Sequence, residues 1–226
     1  RTLFAEAKTN IVLKPNAMKK ILPLLAIALL ATATVSAQGP RYGVTGALNV
    51  PSFSMSSGGV SIDTDSRLAF NAGFKMDLAL PIMEGFYMDA GVLLSAKGSK
   101  YTSLVEGESV NNTVRPYYLE IPLHFGYRYE IGEGNMKIFG SFGPYFAIGL
   151  FGKAESDDGM ESFESDVFGS DGMKRFDFGL GLRGGVELFD HYQVFLGYDW
   201  GLVDASNVTG IKIHNRNFYI GAAYLF

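Results

Sequence analysis

Apolar side chains alternate with small or polar ones through residues 176–202, apart from a break at 189–191. One face carries mainly Phe178, Leu180, Leu182, Val194, Leu196, Tyr198 and Trp200. The other mixes glycine with the isolated charges Asp177, Arg183, Glu187 and Asp199. Because successive side chains of a strand point to opposite faces, this period predicts an antiparallel β-hairpin. Its apolar face could be buried in a protein core or turned toward lipid.

Eight segments share this two-residue period, and helix-period segments of useful length are missing after residue 40. The predicted strands are 41–50, 68–80, 86–97, 114–130, 136–151, 176–188, 192–202 and 214–226. We expect Pro51 to end the first strand and open a polar loop. Pro122 falls inside the fourth strand, where it removes a ladder donor, and it predicts a β-bulge there.

The predicted connections alternate between long and short along the chain. Short turns at one rim and long loops at the other are typical of an up-and-down β-barrel of the outer membrane. An even number of strands also leaves both ends of the barrel domain on the short-turn side. The sequence therefore predicts an all-β fold, a transmembrane eight-stranded antiparallel barrel.

The minority face of these strands carries thirteen charged residues, six basic and seven acidic. They are Arg41, Lys75, Asp77, Asp89, Lys97, Glu120, Arg128, Glu130, Lys137, Asp177, Arg183, Glu187 and Asp199. A soluble, lipocalin-like barrel would turn this face to water and bind an apolar ligand inside. A narrow lumen fits better, because glycine leaves space for long charged side chains and opposite signs compensate each other. We therefore expect the apolar face to meet lipid.

Residues 18–37 have the order of a secretory signal peptide. Lys19 and Lys20 precede the apolar run 21–30, which is too short to span a bilayer, and small residues lead to predicted cleavage after Ala37. We interpret residues 1–17 as mistaken translation upstream of Met18, and residues 38–226 as the barrel domain. The sequence thus predicts export and an outer-membrane location.

Charge and cysteine usage exclude several functions. Residues 1–37 hold five basic residues and one acidic residue. Residues 38–226 therefore hold 14 basic and 22 acidic residues, a net charge of −8. So acidic a chain is a poor nucleic-acid binder. The absence of cysteine excludes disulfides, thiolate metal sites and thiol catalysis.

Two stretches resemble a known family. The segment 117–123, Tyr-Tyr-Leu-Glu-Ile-Pro-Leu, is similar to a motif of the outer-membrane protein β-barrel domain family, PorT-like "porin family" proteins of Gram-negative bacteria. The alternating end, 218–226, resembles the C-terminal signature of outer-membrane barrels. The resemblance implies an OmpX- or OmpA-like eight-stranded barrel and recognition of Phe226 by the barrel-assembly machinery; it implies no single activity.

Candidate catalytic chemistry is sparse. Gly179-Leu180-Gly181-Leu182-Arg183-Gly184 matches a dinucleotide fingerprint, but it lies inside a strand without a following helix, so we interpret its glycines as space for neighbouring side chains. His124 is expected in the lumen and His191 in a short turn. His214, with Ser206 and an acidic loop residue, is the candidate for a lipid A-modifying enzyme. We expect no enzymatic activity, and no catalytic, cofactor or metal residue is assigned.

The acidic loop 152–173 is the candidate cation site. It contains Glu155, Asp157, Asp158, Glu161, Glu164, Asp166 and Asp171. Carboxylates could hold Ca²⁺ or bridge lipopolysaccharide through divalent cations, but the spacing is not that of an EF-hand, and such runs are usually solvated. The sequons at Asn111 and Asn207 are not expected to be glycosylated in this compartment.

Function is expected to reside outside the lumen. Eight strands leave an interior that side chains fill, here including Tyr145 and Phe195, so a large diffusion channel is not expected, although a small-solute pore remains an alternative. We expect a monomeric envelope protein that contacts outer-membrane lipid and lipopolysaccharide. Its four long loops would serve envelope structure, adhesion or binding of an extracellular partner.

Overall fold

The computed structural model describes residues 39–105, 108–132, 135–157, 162–169 and 172–226. The predicted signal peptide and upstream segment lie outside them. The described residues contain these strands: β1 Arg41–Ser57, β2 Val60–Asp63, β3 Ala69–Ala79, β4 Phe86–Ala96, β5 Ser99–Val105, β6 Glu108–Ile131, β7 Met136–Asp157, β8 Ser162–Asp166, β9 Phe176–Leu188, β10 Tyr192–Gly201 and β11 Ile211–Leu225. No helix among the described residues is long and apolar enough to cross a membrane.

Eight of these strands form a closed antiparallel ring. In order around the ring they are β1, β3, β4, β6, β7, β9, β10 and β11, and β11 pairs back onto β1. Closure is continuous at the first and last strands, where Gly43 pairs with Leu225 and Ser57 with Ile211. The predicted eight-stranded barrel is confirmed.

The connections between ring strands alternate in length, as predicted. Residues 80–85, 132–135 and 189–191 join strands at one rim, the short-turn end. The stretches 58–68, 97–107, 158–175 and 202–210 lie at the other, the long-loop end. Three of these four contain or adjoin additional strands: β2 pairs with β1, β5 with β6 and β8 with β7.

Much of the predicted loop sequence is therefore sheet, which corrects several strand ends. β1 continues through Pro51 to Ser57, and β7 runs to Asp157 instead of ending at 151. Pro51 does not end β1 because its missing N–H faces β3, whose ladder with β1 already ends at Asn49 and Ala69. The Pro51 carbonyl on that side accepts a hydrogen bond from the Arg67 N–H (3.2 Å).

The predicted bulge at Pro122 is wrong. Pro122 pairs with Tyr145 of β7, and the register is unchanged on both sides of it. The shift lies instead between Tyr117 and Tyr118. Pro122 is accommodated by an interruption of the β4–β6 ladder, which resumes in the same register, because the only donor it lacks is directed at β4.

The two faces of the barrel are oriented as expected for a lipid environment. Large apolar side chains point outward, with Phe74 70% and Leu196 56% exposed, whereas Asp177 and Glu187 are 0% and 1% exposed. A lipocalin-like barrel would have an apolar lumen. That alternative is therefore wrong for the part of the barrel that Asp177 and Glu187 line. Two of the thirteen predicted lumen charges lie at the short-turn rim: Glu130 is exposed, and the half-buried Lys137 pairs with Asp190.

Aromatic pairs mark both edges of the outward apolar band. Tyr117 and Phe151 stack with ring centroids 4.9 Å apart toward the long-loop end. Tyr192 and Tyr224 are in contact at 5.2 Å toward the short-turn end. Aromatic girdles of this kind flank the lipid-facing band of membrane barrels, because their rings suit the boundary between hydrocarbon and water.

Candidate functional site

Four charged side chains occupy the lumen next to the short-turn end. Arg41 pairs with Asp77 (3.2 Å) and Glu187 (2.9 Å). Arg128 pairs with the same two carboxylates, at 3.2 Å from Glu187. The two cations and two anions therefore compensate one another across the lumen, from strands β1, β3, β6 and β9. Gln193 adds a hydrogen bond to Glu187 (2.7 Å).

The middle of the lumen holds a second charge cluster. Asp89 accepts from Lys75 at 2.6 Å and from Arg183 at 3.2 Å. Lys75 also donates to the side-chain oxygen of Gln193 (2.7 Å), which links this cluster to the first. The Arg183 guanidinium lies 4.8 Å from the ring centroid of Phe195, which helps to fill the interior. Tyr145 and Phe195 are both buried, as predicted.

A third cluster lies toward the long-loop end and is centred on Lys97. Its ammonium group is 2.8 Å from Glu120 and 3.3 Å from Asp177, and it sits 4.1 Å from the ring centroid of Tyr145. Asp177 also accepts from Tyr145 Oη (3.1 Å) and Asn215 Nδ2 (2.9 Å). Three successive clusters of paired charges thus occupy the lumen along its length.

The G-x-G-x-x-G segment lies in β9, and its middle glycine makes room for two lumen side chains. A Cβ at Gly181 would be 2.7 Å from both Asp199 Oδ1 and His124 Nε2. His124 is 2% exposed, and neither ring nitrogen has a hydrogen-bond partner among the described residues. The glycine therefore provides space for neighbouring side chains, as the strand context indicated, and not for a nucleotide.

The enzyme candidate is not assembled. Ser206 Oγ accepts from the Val208 N–H (3.0 Å), and the Asp204 carboxylate accepts from the N–H groups of Ser206 and Ile213, both at 3.0 Å. Within the described residues no hydrogen bond joins His214 to Ser206. His191 Nδ1 lies 2.7 Å from the Leu225 carbonyl in a short turn, where it has a structural role. Among the described residues, these side chains are therefore not arranged as a nucleophile, base and orienting carboxylate.

Two acidic residues of the loop 152–173 are paired with cations. Glu155 lies 2.9 Å from Arg115, and Asp166 lies 3.4 Å from Lys153. Among the described residues, no group of three or more histidine or acidic side chains is arranged to hold a metal ion. Asp158, Glu161 and Asp171 lie outside the described residues, so divalent-cation binding by this loop stays a prediction.

Two electrostatic features at the rims have identifiable causes. The hydrogen bond from Lys137 lowers the pKa of Asp190 in the turn between β9 and β10. Burial would raise the pKa of Asp204, but hydrogen bonds from the backbone of Ser206 and Ile213, with Lys174 nearby, lower it overall. Both carboxylates therefore act as charged anchors of their loops.

An apolar chamber at the long-loop end was not predicted. We call it the cup, and define it by Phe53, Met55, Val114, Val167, Met173 and Ile213. It lines a half-open cavity of ≈ 470 Å³. Phe53, Val167 and Met173 are nearly fully buried, with 2%, 3% and 5% exposure.

The sequence pattern that forms the cup lies in stretches that the sequence analysis predicts to be loops. Phe53 and Met55 continue the inward register of β1 beyond Pro51, and Ile213 continues that of β11. Once the strands are extended past the lipid-facing band, these apolar residues fall inside the barrel. The interior is therefore charged at membrane depth and apolar above it.

Comparison with known proteins agrees with this architecture. A family model described as "Outer membrane protein beta-barrel domain" matches residues 36–207. No curated protein matches the chain. The finer PorT-like grouping stays a prediction.

Similar solved structures include three proteins of low sequence identity to this chain. Neisserial surface protein A is 12% identical, with 84% of this chain and 100% of that chain covered and a TM-score of 0.42. Ail, the attachment invasion locus protein of Yersinia pestis, is 13% identical, with coverage of 83% and 99% and a TM-score of 0.38. A major outer membrane protein from Thermus thermophilus is 12% identical, with coverage of 83% and 99% and a TM-score of 0.46.

Proposed function

The chain belongs to the outer-membrane protein β-barrel domain family, and from this premise we propose that it is a non-enzymatic, non-conducting surface protein. Its long-loop end would face the outside of the cell, and its short turns the periplasm. Export through the signal peptide 18–37 is part of this proposal. Its role would be envelope structure, adhesion or the binding of an extracellular partner.

The observation that carries the proposal is that paired charges occupy the lumen. Each of the three clusters contains at least one carboxylate shared by two cations, or one cation shared by two carboxylates. Opening a solute path would separate charges that are held away from bulk water. Separation of buried pairs costs several kcal/mol because each group is left without its partner.

The strand extensions support a role in binding at the long-loop end. From Val50 to Ser57, β1 stays paired with β11, which corresponds to roughly 23 Å of strand at ~3.3 Å per residue. The β6–β7 ladder likewise continues from Tyr117 to Asn111. Ordered backbone pairing lowers the entropy lost when a partner is bound, so such ladders form a better docking platform than flexible loops.

Contacts with lipid, lipopolysaccharide and the barrel-assembly machinery are also proposed. The outward apolar band supports contact with lipid hydrocarbon, and an isolated, monomeric barrel suffices to form it. Phe226 is 66% exposed and is the residue we propose the assembly machinery reads.

Conductance across planar lipid bilayers tests the closed lumen. We expect no stable openings of porin size from the purified, folded protein. A double variant, Arg41→Ser with Arg128→Ser, provides the positive comparison, because it removes both cations of the short-turn cluster. Steady porin-sized conductance by the unmodified protein would refute the non-conducting function.

Orientation is tested separately on intact cells. A protease-cleavage sequence inserted after Gly59, in the turn between β1 and β2, should be cut by externally added protease. The same sequence inserted after Gly132, in a short turn, should be cut only after the outer membrane is permeabilised. The opposite pattern would contradict the proposed orientation.

A further inference from the structure

An aromatic cluster packs between the cup and the charged lumen, since Phe168 contacts both the cup and this cluster. Tyr118, Tyr145 and Ala147 form a buried cluster, and Phe168 packs on it with its ring 5.6 Å from that of Tyr118. Lys97 lies beneath these rings, 5.4 Å from the Tyr118 centroid and 4.1 Å from that of Tyr145. An aromatic floor therefore separates the cup from the charged lumen, so a molecule in the cup would be held there and not conducted onward.

The dimensions and lining of the cup are those of a small-molecule site. Its volume of ≈ 470 Å³ lies in the lower half of the ~300–1,000 Å³ found for ligand pockets, which are mostly apolar with a few placed polar groups. The lining includes aliphatic side chains, Met55 and Met173; thioethers adapt to flexible apolar shapes. Tyr101 at the edge supplies a phenol, and burial raises its pKa, which keeps it a neutral hydroxyl.

A second, polar chamber adjoins the cup. It has a volume of ≈ 570 Å³ and shares Ser206, Val208 and Ile211 with the cup wall. Lys174 and Lys212 both line it. A ligand in the cup would therefore have to extend past Ser206, Val208 or Ile211 for one end to reach the lysine-bearing space while its body stays in apolar surroundings.

The charge of the polar chamber indicates which end group it would accept. Lys174 donates to the backbone carbonyl of Asp204 (3.0 Å) and pairs with its carboxylate (3.4 Å). Lys212 is exposed and has no ion pair within the described residues. Within the polar chamber the two lysines therefore exceed the one carboxylate, and Asp166 of the cup wall is paired with Lys153 at 3.4 Å, so the complementary ligand end is anionic.

We propose that the cup binds a medium-chain amphiphilic carboxylate, with the alkyl chain in the cup and the carboxylate toward Lys174 and Lys212. This deepens the proposed surface-binding function and rests on it only for the statement that the ligand comes from outside. Because of the aromatic floor, a ligand would bind at the mouth of the barrel and would not pass into the lumen. A carboxylate, not a neutral alcohol, is the occupant because of the excess lysine charge.

Photolabelling of the full-length mature protein in lipid nanodiscs tests this proposal. A decanoate carrying a diazirine on its chain is bound, cross-linked and mapped by peptide mass spectrometry. We expect label on peptides that contain Met55, Val114 and Ile213, and we expect excess unlabelled decanoate to displace it. Label on lipid-facing peptides, such as the one containing Leu196, measures partition into lipid and should not be displaced.

Variants separate the two halves of the site. Val114→Trp should fill the cup and abolish displaceable labelling, whereas Leu196→Trp on the lipid face should leave it unchanged. Lys174→Gln and Lys212→Gln should each weaken decanoate about 2- to 5-fold, the loss of one exposed ion pair, and should not affect decanol. Retained heat-modifiable gel migration shows that each variant is folded.

Two results would overturn the proposal. Cup label that is not displaced, or that survives both Val114→Trp and a second filling variant, Ile213→Trp, would show that the chain does not bind there. Equal affinity for decanol and decanoate would refute the anionic end. Nanodiscs expose both membrane faces, so neither result depends on the orientation or the conductance of the barrel. A failure of the proposed function would appear in the conductance and protease experiments instead.

Discussion

Removal of the Lys97 ammonium group is the sharpest test of the charged lumen. Lys97 is 1% exposed, and the side chains of its partners Glu120 and Asp177 are 6% and 0% exposed. Lys97→Met keeps a similar unbranched volume but leaves both carboxylates without their cation. Breaking a buried ion pair from one side typically destabilises by about 3–5 kcal/mol, and we expect this range for Lys97→Met.

Most of the stability lost in Lys97→Met is expected to come from the unpaired Glu120 carboxylate. Asp177 keeps hydrogen bonds from Tyr145 Oη at 3.1 Å and Asn215 Nδ2 at 2.9 Å. Glu120 Oε2, by contrast, has only the Lys97 contact and otherwise no hydrogen-bond partner among the described residues. Adding Glu120→Gln to Lys97→Met should therefore recover more than half of the lost free energy of unfolding. Adding Asp177→Asn should recover less.

The assay is denaturant unfolding and refolding in lipid bilayers, followed by the fluorescence of Trp200 and by heat-modifiable gel migration. Lys97→Arg keeps the charge and should cost less than Lys97→Met, although the larger guanidinium must fit beside Tyr145. Lys212→Met, which removes an exposed lysine, should change stability by less than about 1 kcal/mol. A loss below about 1 kcal/mol for Lys97→Met would refute the reasoning, because it would mean that water compensates these carboxylates.

Three further predictions test other parts of the barrel. Leu196→Arg, midway along β10 on the outward face, should destabilise by about 2–4 kcal/mol in bilayers, measured by refolding titration, whereas Leu196→Phe should be near neutral; tolerance of arginine would contradict lipid exposure. Gly98→Ala should destabilise more than Gly132→Ala in the same titration: both have positive φ (117° and 72°), but a Cβ at Gly98 would be 2.0 Å from the Val114 carbonyl, whereas one at Gly132 meets nothing within 4 Å. Equal losses would show that backbone strain alone matters. Asp204→Ala should reduce the amide protection of residues 202–213 in hydrogen exchange. Because the folded pKa of Asp204 is lowered, its stabilisation is present above the unfolded value of about 3.9 and is lost as pH falls through the folded value; protection that does not change between neutral and strongly acidic pH, after correction for intrinsic exchange rates, would contradict this.

The sequence by itself determined the architecture of the membrane part. A two-residue period places every second side chain on one face, so the segregation of Asp177, Arg183 and Asp199 from Leu182 and Leu196 could be read directly. Alternating connection lengths then gave the up-and-down order. Both are local properties of the chain. A shift of one residue in strand register would move every apolar side chain into the lumen, so the pattern specifies which face meets lipid.

Only the tertiary structure decided which charges meet. The sequence placed Lys97 and Asp177 on the same face, but they are 80 positions apart, and their pairing depends on ring closure and strand register. Glu130 and Lys137 have the same alternation as the lumen charges, yet they lie at the rim because the barrel ends there. The two-residue period predicts which face of the sheet a side chain is on, but not how far along the barrel axis it lies.

The cup also depended on tertiary structure. Pro51 reads as a strand end because it lacks a ladder donor, but the donor is not needed where the β3 ladder has already ended. β1 therefore continues to Phe53 and Met55, and Val167 and Met173 approach them from a distant part of the chain. An apolar site above a charged lumen arises from several extended strands and a returning loop, and no single segment of the sequence contains it.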